Sequence, residues 1–212
     1  MKTSLKRSSI TRSKQSLALL CVAGLFVMPG KTFSQVPQGV SSVTDVAKQG
    51  SSDAPNVNVQ VTVKTNPTGR SFTVDGTTYT TTQTFSWESG SSHTIATTSP
   101  QSGGTNVQYV WSTWSDHGAI SHIVAPPTNT TYTATFKTQY YLTMTAGTGG
   151  RVSPASGWKN SGATVSISAR PANGYSFSNW TGTGTGSYSG PNNAASITMG
   201  GPITETATFI HN

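Results

Sequence analysis

The chain has 212 residues, of which 33% are hydrophobic and 9% charged, both low for a globular protein, so one large core is not expected. Its formal charge of +7 is concentrated before residue 35; beyond that point seven Lys and Arg face six Asp and Glu, which excludes a basic nucleic-acid footprint. The single cysteine, Cys21, lies in the amino-terminal segment, so the remainder holds neither a disulfide nor a thiolate metal site.

Lys2, Lys6, Arg7, Arg12 and Lys14 precede the apolar run Leu17 to Met28, which the breaker Pro29-Gly30 and the small residues Thr32 and Ser34 follow. That order predicts a secretory signal peptide over 1–34, cut after Ser34. The run is short for a bilayer span, so no transmembrane segment is expected after cleavage. Leu20, directly before Cys21, argues against lipidation. The implied location is secreted or at the cell surface, with the periplasm as an alternative. Residues 35–56, rich in Gly, Pro, Ser and Gln, are expected to form a flexible leader.

From residue 57 the pattern changes. Val57, Val59, Val61 and Val63 alternate with polar residues, the two-residue period of a half-buried strand. Further strand signals follow in SFTVDGTTYTTTQTFSW, SSHTIAT, VQYVWSTW, AISHIVA and TTYTATF, with Asp75-Gly76 marking a turn. No window longer than ten residues has apolar positions at helical spacing. The expected fold class is all-β.

The second half retells the first. Gly150-Arg151 echoes Gly69-Arg70, Trp158 echoes Trp87, Trp180 echoes Trp114, and both halves close on TATF, at 133–136 and 206–209. Two tandem units are therefore expected, 57–138 and 139–212.

The stretch GATVSISARPANGYSFSNWTG, with the later Ala207 and Phe209, resembles the divergent bacterial repeats related to the internalin B-repeats. The positions carrying the resemblance are Gly162, Val165, Ile167, Ala169, Pro171, Gly174, Tyr175, Phe177, Trp180 and Gly182. The first unit keeps Val110, Trp114, Ala134 and Phe136 but replaces the compact turn. The resemblance implies a small strand-dominated module, β-grasp-like or a small β-sandwich, used in secreted and surface-exposed bacterial proteins as a spacer or adhesive stalk.

The aromatic residues support two roles. Trp114, Trp180, Tyr175, Phe177, Phe136 and Phe209 are expected in the core, supplying apolar area that the many Ser and Thr cannot. Trp111, Trp87, Trp158 and Tyr141, with Tyr140, are candidates for an exposed platform that would stack on sugar rings. Trp111 and Trp114 are three apart, so in an unbroken strand they would face opposite sides, one buried and one exposed.

Catalytic chemistry finds no convergent set. Asp116, His117 and His122 form a local cluster best read as a surface loop, the other acids have no motif relation, and neither metal ligands nor a cofactor site is expected. The glycine tracts 145–151 and 181–190 lead into no helix that could hold a phosphate and are read as turns. Arg70, Arg151, Lys159 and Arg170 are dispersed along the chain. The combined expectation is a non-catalytic exported bacterial repeat protein, a spacer or interaction module whose partner is a cell-surface glycan or protein. The alternatives are a carbohydrate-binding module and an accessory region of a secreted enzyme.

Overall fold

A computed structural model describes residues 57–212; the expected signal peptide and leader lie outside the described residues. The fold is all-β. In chain order the strands are β1 (Asn58–Asn66), β2 (Phe72–Val74), β3 (Thr77–Tyr79), β4 (Gln83–Glu88), β5 (His93–Thr97), β6 (Gln101–Ser102), β7 (Val107–Trp114), β8 (Ser121–Val124), β9 (Thr130–Ala146), β10 (Gly150–Ser153), β11 (Gly157–Asn160), β12 (Thr164–Pro171), β13 (Tyr175–Thr183), β14 (Ala195–Thr198) and β15 (Ile203–His211).

Both halves use the same pairings. In the amino-terminal half β1 pairs antiparallel with β4 and parallel with the start of β9, and β7 closes antiparallel on β9. In the carboxy-terminal half the end of β9 takes the place of β1: β11 pairs antiparallel with it, β15 runs parallel beside it, and β13 closes antiparallel on β15. A second sheet covers each of these layers, ordered β3-β2-β5-β8 in the first half and β10-β12-β14 in the second.

The two layers meet over an apolar interior because alternate residues of each strand point inward. Val59, Val61 and Val63 of β1 pack with Phe72, Val74 and Ile95 of the opposite sheet and with Trp87, Trp114, Ala134 and Phe136. The second core gathers Leu142, Met144, Ile167, Ala169, Trp180, Ile197, Met199, Ile203, Ala207 and Phe209. Of the two architectures expected, the β-sandwich is the observed one, since a second sheet rather than a helix covers the inner face.

The 17-residue β9 serves both halves. Its TATF stretch closes the first, and the chain runs on through Lys137-Thr138-Gln139 without leaving the strand before opening the second. The junction between the two halves is thus one uninterrupted strand inside one sheet.

Candidate ligand-binding surface

The aromatic residues are sorted by two irregularities. Trp111 pairs with Phe136 and Trp114 with Ala134, so three residues of β7 oppose two of β9, a β-bulge at Ser112. The carboxy-terminal half repeats it at Ser178, with Phe177 opposite Phe209 and Trp180 opposite Ala207. The extra residue flips the alternation, so two aromatic residues three apart share the inward face. This corrects the expectation that Trp111 would be the exposed partner of Trp114. Trp111 is half-buried against the first core, and its Nε1 is buried without an acceptor among the described residues. Trp114 and Trp180 are 0% and 1% exposed. Their indole N–H groups donate to the carbonyls of Ile120 and Asn193, at 3.2 and 2.8 Å. Phe136 and Phe209 are buried, while Tyr175 and Phe177 are half-buried against the second core.

Trp87 also leaves the platform. It pairs with Val59, is 7% exposed, and lies between Phe85 and the His93 ring, parallel to the latter at 3.8 Å. The sequence echo between Trp87 and Trp158 is one residue out of register. The parallel pairs match Val61 with Leu142 and Val63 with Met144, so Trp87, opposite Val59, corresponds to Lys159, opposite Tyr140. Trp158 corresponds to Ser86 on the outer face. A one-residue shift in a strand moves a side chain to the other side of the sheet.

Trp158 is 38% exposed, the only tryptophan among the described residues turned to solvent to that extent. It pairs with Tyr141, and the two rings meet edge to face at 5.2 Å. Two rows of side chains therefore cross β7, β9 and β11 where the halves join. One is Tyr141 and Trp158, with Asn106 beside them, since the Asn106 carbonyl accepts the Tyr141 N–H at 3.0 Å. Asn106 is held there at φ +60°, a turn conformation that asparagine tolerates better than most residues. The other row is an amide chain: Gln108 Nε2 donates to Gln139 Oε1 at 2.8 Å, and Gln139 Nε2 donates to Asn160 Oδ1 at 3.0 Å. Against Trp158 opens a cleft of about 280 Å³ lined by Pro100, Gln101, Ser102, Gly104, Asn106, Val107 and Gln108. The amides escaped sequence reasoning because residues 108, 139 and 160 are neighbours only through strand pairing.

The remaining polar groups hold turns. Asp75 bonds His93 Nδ1 at 2.7 Å and the Thr94 N–H at 2.8 Å, while Ser91 Oγ lies 2.9 Å from His93 Nε2. This chain has the order of a nucleophile, base and orienting acid. However, the Ser91 hydroxyl donates to the Glu88 carbonyl at 2.6 Å, which closes the β4–β5 turn and directs its proton away from His93. The His93 bond outweighs desolvation and holds the Asp75 carboxyl below its ordinary value.

Asp116 and His122 do meet, at 2.8 Å, and His122 Nδ1 donates to the Ala119 carbonyl at 2.7 Å. Desolvation raises the Asp116 carboxyl, but hydrogen bonds from His122 and the Gly118 N–H bring it below its ordinary value. Among the described residues no group of three His, Cys, Asp or Glu is placed to hold a metal.

In the carboxy-terminal half, Glu205 is 0% exposed. Its Oε1 accepts the Tyr188 N–H at 2.7 Å, and its Oε2 has no partner among the described residues. Burial pushes its carboxyl above the ordinary value. Gly182 leaves room for that carboxylate, since a Cβ there would stand 2.6 Å from Oε1. The tract 181–190 thus begins inside β13 and is more than a turn. Arg151 and Arg170, distant in sequence, face each other across β10 and β12.

Each half is an all-β, two-sheet unit in which the first and last strands are parallel neighbours. Residues 140–212 match the family model of the divergent InlB B-repeat domain, so the carboxy-terminal half is similar to that family. No curated protein and no solved structure matches the chain.

Proposed function

We propose that the chain is an exported bacterial protein that acts without catalysis as an extracellular or cell-surface spacer, built from two tandem copies of the repeat, 57–138 and 139–212. The observation that carries this reading is the parallel pairing of the terminal strands. β1 runs parallel to the start of β9 over six paired positions, and the end of β9 runs parallel to β15 over five. Tension along the chain loads these hydrogen bonds together in shear, whereas peeling would break them one at a time. β9 passes the force from one half to the next through strand backbone, which suits a stalk.

Single-molecule extension tests it. Residues 35–212 contain no cysteine, so engineered cysteines can serve as handles. Pulling from Asn58→Cys and Asn212→Cys is expected to need a clearly higher force than pulling from Asn58→Cys and Thr128→Cys, both near one end of the β1–β9 pair. Equal forces would overturn the tension-bearing reading. Export is checked separately by intact mass: the extracellular or surface fraction should contain a chain starting at Gln35, and an uncut cytoplasmic chain would count against it.

A further inference from the structure

We infer that the face crossed by β7, β9 and β11 binds a neutral polysaccharide, with one pyranose ring lying on Trp158. A sugar ring has an apolar face of C–H groups and a rim of hydroxyls, each of which both donates and accepts. It needs an accessible aromatic face bordered by fixed, uncharged donors and acceptors.

Trp158 supplies the first. It is partly exposed, and the edge contact with Tyr141 limits the freedom of its ring. The amide row supplies the second. With Gln108 Nε2 given to Gln139 and Gln139 Nε2 given to Asn160, the row ends in an acceptor, Gln108 Oε1, and a donor, Asn160 Nδ2. Neither end has a protein partner among the described residues, and their orientation is fixed by the bonds behind them.

Charge selects the ligand. None of the residues lining the cleft beside Trp158 is ionisable, and its volume of about 280 Å³ lies at the lower edge of small-molecule sites, suited to one ring at a time. A longer chain would continue across the exposed sheet towards Lys137, two residues before Gln139 on β9 and itself exposed. Both halves build the site, because Asn106 and Gln108 come from the first and Trp158 and Asn160 from the second. The proposal is independent of the tension-bearing reading, since a binding face needs no particular response to force.

The test is acrylamide quenching of residues 35–212, titrated with cellohexaose, laminarihexaose and chitohexaose, with heparin as the anionic comparison. Trp158 is the most accessible indole, so a bound ring should shield it. At least one neutral oligomer is expected to reduce quenching and shift the emission. Trp158→Ala should weaken its retention at least about tenfold, measured by affinity electrophoresis, and Asn160→Ala by a smaller factor. Ile123→Ala, at a residue 70% exposed on β8, should leave retention unchanged. Unchanged melting of each variant separates loss of the site from loss of the fold. No response to any neutral oligomer, equal retention by Trp158→Ala, or binding of heparin alone through Lys137 would each overturn the proposal.

Discussion

Lys159 stands in the carboxy-terminal half where Trp87 stands in the amino-terminal half, and Trp158 stands where the first half has Ser86. Two halves with the same strand pairings therefore place a tryptophan on opposite sides of equivalent strands. In the first it completes the core, stacked on His93; in the second it faces solvent beside Tyr141. The difference teaches that a recurring β topology can be kept while one residue of register turns a packing side chain into a surface one. The polar groups diverge as well. The first half ties turns with Asp–His pairs, and the second has Val165 and Ala195 in place of His93 and His122 while burying Glu205.

The shared feature that can be broken most severely is the bulge. Deleting Ser178 would return β13 to strict alternation and turn Trp180 away from the second core, or force Phe177 out. The expected outcome is loss of the carboxy-terminal fold, read as collapse of amide-exchange protection in β12 to β15. The equivalent deletion of Ser112 should do the same to the amino-terminal half.

Trp180→Ala is the next largest. Removing a fully buried indole costs about 3 to 5 kcal/mol, a large part of the stability of a unit this size. Because the two cores have no residue in common, protection in β1 to β5 should survive while that in β12 to β15 falls. Equal loss in both halves would show that β9 couples them into one cooperative unit.

Acid sharpens the comparison because the halves respond with opposite sign. Glu205, raised by burial, keeps its proton longer in the folded chain than in the unfolded one. Its contribution to stability is full below the unfolded value of about 4.5 and is lost as pH rises through the higher folded value. Glu205→Gln should flatten that slope in carboxy-terminal amide protection measured between pH 4 and 8.

Asp75, lowered chiefly by its bond to His93, acts the other way and less strongly. Its contribution is present above about 3.8 and is lost as pH falls through the lower folded value. With half of the Asp75 side chain exposed, Asp75→Asn should cost less than about 1 kcal/mol at neutral pH. Its effect should fade on acidification, as followed by urea titration of β2 and β5 protection.

The alternation of Val59, Val61 and Val63, the lack of helical spacing and the repeated landmarks were enough to read an all-β chain with a recurring pattern, because a two-residue period is a local property of strands. The same rule misassigned Trp111, since a bulge violates it and nothing within VQYVWSTW announces one. The recurrence of an aromatic residue three before a tryptophan in both halves, W-S-T-W and F-S-N-W, is the signal that could have revealed it.

The sequence by itself determined strand character, the order of the turns and the residue types available for a core, all of which depend on neighbours along the chain. Only the tertiary structure decided that β9 runs unbroken through both halves, that Trp87 and Trp158 take opposite faces, and that Gln108, Gln139 and Asn160 form one row beside an exposed indole. Those outcomes depend on register between strands tens of residues apart, where each hydrogen-bonded pair is set by packing across the sheet.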